Sequence, residues 1–63
     1  MKNRVKEFRE KLGWTQEELA QKSRVSRTTI SGFENGSIEI TTNTTMEKIA
    51  EALGKKTKTV FFL

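Results

Sequence analysis

The interval between two helices near the middle of the chain is so short that it restricts how they can pack. Thr15 is followed three residues later by Glu18, which is the capping-box pattern at the start of a helix. This helix should end near Lys22 or Ser23, because Ser26 is itself an N-cap that begins the next one. Only three or four residues remain for the connection. We therefore predict two consecutive helices, over residues 15–35, that pack at a steep angle.

A helix over residues 3–12 is predicted to precede this pair. Its apolar positions recur at helical spacing, and Gly13 follows as a C-terminal stop. One face of this helix carries Val5, Phe8, Arg9 and Leu12. An arginine whose charge is solvated does not usually lie on the apolar face of a helix.

A fourth helix is predicted to end at Gly54, and its start has two candidates. Thr42 is one possible N-cap, and Thr44 is the other because Thr44 and Glu47 form a second capping-box pattern. The apolar face of this helix consists of Met46, Ile49, Ala50 and Leu53.

Two segments remain ambiguous. Residues 37–41 alternate like a strand, yet the threonines and asparagine that follow suit a loop and a cap. Residues 57–63 are rich in β-branched and aromatic side chains, so they could form a strand. A short fifth helix ending at Phe61 is the alternative.

Composition restricts the class of protein. The chain has 63 residues, of which 33% are hydrophobic, so we expect one domain over residues 1–63 with a small core. It contains no cysteine and no histidine, and we expect no metal, no cofactor, no small-molecule substrate and no enzymatic activity. No apolar run is long enough for a membrane span or a signal peptide, and we expect a cytoplasmic protein. The net charge of +4 favours a polyanionic partner.

Residues 15–36, TQEELAQKSRVSRTTISGFENG, resemble the helix-turn-helix of the phage-repressor family (Cro/XRE type). The resemblance extends from Arg4 to about Leu53 and includes the segment TMEKIAEALG. The single positions that match are Gln16, Leu19, Ala20, Val25, Ser26, Ile30, Glu34, Asn35 and Gly36. It implies an all-α, compact, lambda-repressor-like domain of four to five helices, with a short C-terminal β-strand as an alternative.

The resemblance also implies which residues read the bases of double-stranded DNA. The start of the third helix would face base edges with Ser26, Arg27, Thr28, Ser31 and Gly32. Arg27 is the strongest candidate, because a guanidinium group can donate two parallel hydrogen bonds to guanine O6 and N7. Gly32 falls where relatives often carry a long polar side chain, so that contact would be missing.

Phosphate contacts are implied for Gln16 at the start of the second helix and for Asn35 at the end of the third. Arg4 and Arg24 are further candidates. Arg24 replaces the glycine that is usual in the turn, at a position where a positive φ is expected. The loop after Gly36 departs from the family pattern, since it carries a glutamate instead of basic residues.

Arg9 and Glu34 match positions that form a partly buried ion pair in the family, and we predict that structural pair here. The function implied is a transcriptional regulator, a repressor that binds a palindromic operator as a homodimer. The dimer contact is expected from the apolar residues Ile38, Ile40, Phe62 and Leu63. Alternatively, Val60 and Phe61 complete the monomer core while the last two residues fray. The other functional interpretation is an antitoxin-type module that binds a partner toxin as well as DNA.

Overall fold

Five α-helices make up the parts of the chain that the computed structural model describes, residues 3–38 and 42–61. The helices are α1 (Val5–Lys11), α2 (Gln16–Ser23), α3 (Arg27–Asn35), α4 (Asn43–Ala52) and α5 (Thr57–Val60). Within these residues there is no strand, only an isolated antiparallel bridge between Asn3 and Phe61. The predicted all-α class is confirmed.

Side-chain caps define where the three central helices begin. Thr15 and Glu18 form the predicted capping box at the start of α2, each side chain accepting a hydrogen bond from the other's backbone N–H. Ser26 caps α3 by accepting from the N–H of Thr29. The turn between α2 and α3 is thus residues 24–26, in agreement with the predicted short connection.

The backbone at the start of α4 shows which of the two predicted N-caps the helix uses. Thr42 has extended backbone angles and accepts a hydrogen bond from the N–H of Thr45, so it is the N-cap. The prediction of a capping box between Thr44 and Glu47 is wrong. Because the helix already begins at Asn43, Thr44 lies inside the first turn and cannot cap it.

The C-terminal segment is helical and then extended. Phe61 follows α5 with extended angles and donates its N–H to the carbonyl of Thr57. Val60 and Phe61 are fully buried, and the Phe61 ring meets that of Phe33 edge-on at 5.3 Å. The alternative that these two residues complete the monomer core is therefore correct. Phe62 and Leu63 lie outside the described residues.

The core lies between all five helices. α2 contacts both α3 and α4, while α1 packs on α3 and α5 on α4. The four apolar residues predicted for α4 are all buried. Leu12 is the exception among the predicted core positions, with 46% of its surface exposed. It lies beyond the last residue of α1, where Gly13, with a φ of 73°, turns the chain away from the core.

No helix in the described residues is long and apolar enough to cross a membrane.

Candidate nucleic-acid interface

The solvent-facing side of α3 forms a shallow concave surface. The residues that line it are Arg27, Thr28, Ser31, Gly32, Asn35 and Ser37. Arg27 and Thr28 are exposed and Ser31 is half-buried, so these three side chains stand together on one face of the helix. The opposite face buries Ile30 and Phe33 in the core. Packing of the apolar face therefore determines which polar side chains α3 presents to solvent.

Ser26 is exposed at the N-terminus of α3, but its hydroxyl group is already engaged. It accepts the N–H of Thr29 at 3.2 Å and lies 2.9 Å from the Thr29 hydroxyl. These two contacts leave the hydroxyl group one further hydrogen-bonding position, either a lone pair or its hydrogen. Ser26 thus acts first as a helix cap in this structure.

The turn between α2 and α3 has the left-handed residue that its sequence predicts. Arg24 has a φ of 61° and is the only non-glycine residue with a positive φ among those described. The next residue, Val25, is buried, and its N–H donates to the carbonyl of Ala20. Ser23, which the sequence analysis did not single out, is also buried and accepts the same N–H with its hydroxyl. These contacts hold α3 at its angle to α2.

Replacing Arg24 by glycine is expected to stabilise the domain by about 1 kcal/mol, because glycine adopts a left-handed conformation without steric cost. The free energy of unfolding in urea measures this effect. Arg24→Ala is the matched control, since it removes the charge but keeps a Cβ in the strained position. If Arg24→Ala stabilises the protein equally, charge and not backbone strain is the cause.

An ion pair connects α1 to the end of α3. Arg9 Nε and Nη2 donate to the two carboxylate oxygens of Glu34 at 2.7 and 2.9 Å, and Nη1 donates to the carbonyl of Trp14 at 2.6 Å. The side chains are only 11% and 4% exposed, for Arg9 and Glu34 respectively. The pair predicted for these two residues is therefore present, and it is mostly buried.

Electrostatics at this pair favour the charged forms of both groups. Hydrogen bonding to Glu34 raises the pKa of Arg9. Burial favours a higher pKa for the Glu34 carboxyl, but hydrogen bonds from Arg9 and Gln16 outweigh burial and hold that pKa below its usual value. Glu34 therefore stays ionised at neutral pH.

Gln16 is bound to the same carboxylate. Its Nε2 donates to Glu34 Oε1 at 3.1 Å, a contact that the sequence analysis did not predict. An amide nitrogen carries two hydrogens, so one donor of Gln16 remains for an external acceptor. Gln16 and Arg27 line a common depression at the N-termini of α2 and α3. The structure thus brings the predicted phosphate-contacting glutamine next to the predicted base-reading arginine.

Asn35 is exposed at the end of α3. Its side-chain oxygen accepts the backbone N–H of Ser37 at 2.9 Å, which leaves the amide nitrogen as its free polar group. Asn35 lines the concave surface of α3 at the opposite end from Arg27.

Arg4 is not grouped with these residues. Its guanidinium group forms an ion pair with Glu7 and lies 4.8 Å from the centre of the Phe8 ring, on α1. The hydrogen bond from Arg4, together with Lys11, lowers the pKa of the exposed Glu7 to about 2. A phosphate would have to compete with Glu7 for this arginine.

Gly32, predicted to face base edges, lines the same concave surface as Thr28 and Ser31. Gly32 is buried under the side chain of Ile38, whose N–H donates to the Gly32 carbonyl at 3.1 Å. A Cβ on residue 32 would lie 2.4 Å from Ile38 Cδ1. A side chain at residue 32 would therefore have to displace the end of the Ile38 side chain. A single sequence does not reveal this contact, because it depends on tertiary folding.

Ile38, a predicted dimer contact, also has contacts within the monomer. It is half-buried and packs against the hydrophobic core as well as on Gly32. Ile40, predicted for the same contact, lies outside the described residues.

These features define a helix-turn-helix domain, and comparison with known proteins agrees. The family model described as helix-turn-helix matches residues 5–60. The chain belongs to this family of DNA-binding regulators, and the resemblance to the Cro/XRE type is confirmed.

Two curated relatives are similar to the chain. It is 47% identical over 51 residues to antitoxin HipB of Escherichia coli (strain K12), an alignment that covers 81% of this chain and 57% of HipB. It is 36% identical over 63 residues to the uncharacterized HTH-type transcriptional regulator YgzD of Bacillus subtilis (strain 168), which covers 100% of this chain and 94% of YgzD. The chain therefore spans little more than half the length of HipB.

Proposed function

We propose that this protein is a sequence-specific transcriptional repressor that inserts the exposed face of α3 into the major groove of DNA. The observation that carries the proposal is the grouping of Arg27 with Gln16 at the N-termini of the two central helices. In a helix-turn-helix, the start of the second helix of the motif reads bases while the first helix contacts the backbone. Gln16 would donate its free amide hydrogen to a phosphate, and Arg27 would reach guanine.

The bond between Gln16 and Glu34 supports this assignment. A flexible glutamine loses side-chain entropy when it binds a phosphate, and a glutamine already held by a hydrogen bond loses less. Arg9 orients Glu34, and Glu34 orients Gln16, so the ion pair acts on DNA binding only through the glutamine.

We propose that the protein binds a palindromic operator as a homodimer, because one recognition helix reads only a few base pairs. Two copies would place their helices in half-sites about 34 Å apart. The dimer contact would come from the C-terminal tail with Phe62 and Leu63, or from the loop that carries Ile38 and Ile40. Of these four residues, only Ile38 lies within the described part of the chain. Sedimentation at micromolar concentration tests this, and a monomer that binds only single half-sites would contradict it.

Arg27→Ala is expected to weaken binding to a site selected from random duplexes by about 1–3 kcal/mol and to relax preference at one base pair. The physical reason is the loss of a bidentate contact to one guanine. Binding to the selected duplex and to its single-base variants measures both quantities.

Gln16→Ala is the matched control for this experiment. It removes a phosphate contact and should therefore weaken binding to all sequences by a similar factor, without relaxing any base preference. If Arg27→Ala changes neither affinity nor preference, the proposed placement of α3 in the groove is wrong.

A second function is favoured by the similarity to HipB. We propose as the alternative that the protein acts as an antitoxin, binding a partner toxin as well as DNA. Purification from its native host distinguishes the two: a stoichiometric protein partner supports the antitoxin, and a homodimer without a partner supports the simple repressor. Under either function we place the protein in the cytoplasm and assign it no catalytic activity.

A further inference from the structure

The side chain of Ile38 takes the place on α3 that a side chain of residue 32 would otherwise occupy. An ideal Cβ on Gly32 would lie 2.4 Å from Ile38 Cδ1 and 2.5 Å from Cγ1, so the two groups compete for the same volume. The end of the isoleucine therefore covers the surface of the helix at position 32. It comes from the loop after the helix and not from the helix itself.

Position 32 borders the surface that we propose reads DNA. Residues four apart on a helix are neighbours, which places position 32 beside Thr28, one turn nearer the N-terminus. Gly32 itself lines the concave surface together with Thr28, Ser31 and Ser37. Ile38 is not among the residues that line that surface, but its side chain lies directly against Gly32, which does line it.

A left-handed turn, two hydrogen bonds and packing against the core hold Ile38 beside Gly32. Gly36 ends α3 in a left-handed conformation with a φ of 83°, which turns the chain back along the helix. The N–H of Ser37 donates to Asn35 Oδ1 at 2.9 Å, and the N–H of Ile38 donates to the carbonyl of Gly32 at 3.1 Å. The side chain also packs against the core yet stays half-buried, so part of it remains exposed.

We propose that Ile38 is a specificity-determining residue that contacts the C5-methyl group of a thymine in the major groove. The side chains that line the concave surface are polar: a guanidinium, hydroxyls and an amide. The one apolar group that bases present in the major groove is the thymine methyl. The apolar side chain of Ile38, which lies near Thr28, would therefore fit the methyl group of a thymine. That thymine would be next to the base that Thr28 contacts. This inference rests on the proposed function, since it requires α3 to lie in the groove.

The test uses deoxyuridine, which differs from thymidine only by the missing methyl group. A site is first selected from random duplexes with the unmodified protein, and each of its thymines is then replaced singly by deoxyuridine. At one position in the half-site, this replacement should weaken binding about fourfold, as expected for the loss of one buried methyl-sized group.

Ile38→Ala should make binding insensitive to that replacement. The ratio of the affinities for the two duplexes is the readout, because any loss of folded protein lowers both affinities equally. Thr28→Ser is the matched control: it removes the neighbouring methyl group and should leave the sensitivity at this position intact.

The outcomes separate this inference from the proposed function. If no sequence is enriched from random duplexes, the proposed function fails before deoxyuridine is used. If a sequence is enriched but its half-site contains no thymine sensitive to methyl removal, the role of Ile38 is wrong and the function stands. Sensitivity that persists in Ile38→Ala, or that only Thr28→Ser removes, also overturns the inference.

Discussion

Replacing Arg9 by methionine is expected to destabilise the domain by about 3 kcal/mol, because it leaves the carboxylate of Glu34 buried without its charged partner. Glu34 is 4% exposed and would retain only the hydrogen bond from Gln16. Small domains have a total stability of only about 0.05–0.15 kcal/mol per residue, so a chain of 63 residues would lose between about a third and nearly all of its stability. Chemical unfolding followed by circular dichroism measures the change.

Two control variants separate the buried charge from other effects. Arg4→Met breaks the exposed pair with Glu7 on the same helix and should change stability little. The double variant Arg9→Met with Glu34→Leu removes both charges and should be more stable than Arg9→Met alone. If the double variant is no better than the single one, the loss comes from packing of the arginine and not from an unpaired carboxylate.

The same pair should be visible in the pH dependence of stability. The pKa of Glu34 is lowered in the folded state, so its contribution is fully present above the pKa of an unfolded glutamate, about 4.3. It is lost as the pH falls through the lower, folded pKa. The unmodified protein should therefore lose stability below about pH 4 more steeply than the double variant does.

Phe61→Ala is expected to cost about 3–5 kcal/mol, the range for removing a buried aromatic side chain from a core. Phe61 is fully buried and its ring packs edge-on against Phe33, the largest apolar side chain of α3. The loss would affect α3 directly, because this contact supports the face opposite the proposed reading surface. The expected result is a protein that is largely unfolded at 37 °C.

Lys58→Ala is the control for this prediction, since Lys58 is an exposed residue of α5, the short helix that Phe61 directly follows. It should leave the free energy of unfolding nearly unchanged. Phe61→Leu should give an intermediate loss, because leucine fills part of the volume. Equal stability of Phe61→Ala and the unmodified protein would show that the C-terminal segment does not complete the core.

Much of the proposed interface could be predicted from the sequence because its determinants are local. Thr15 with Glu18, and Ser26 with the N–H of Thr29, satisfy backbone groups only three residues away. The pairing of Arg9 with Glu34 came only from the family resemblance, because these residues are far apart in the chain. The bond between Gln16 and Glu34 had no signal in a single sequence.

The two caps, Thr15 and Ser26, and the short connection between their helices were enough to predict two consecutive helices from the sequence alone. The left-handed conformation of Arg24 was implied only by the family resemblance, because an arginine carries no local signal for a positive φ. Tertiary structure alone decided that the C-terminal segment is helical and buried, and that Gly32 lies beneath Ile38. Those outcomes depend on contacts such as that of Phe33 with Phe61, which form only when distant parts of the chain meet and compete for the same volume.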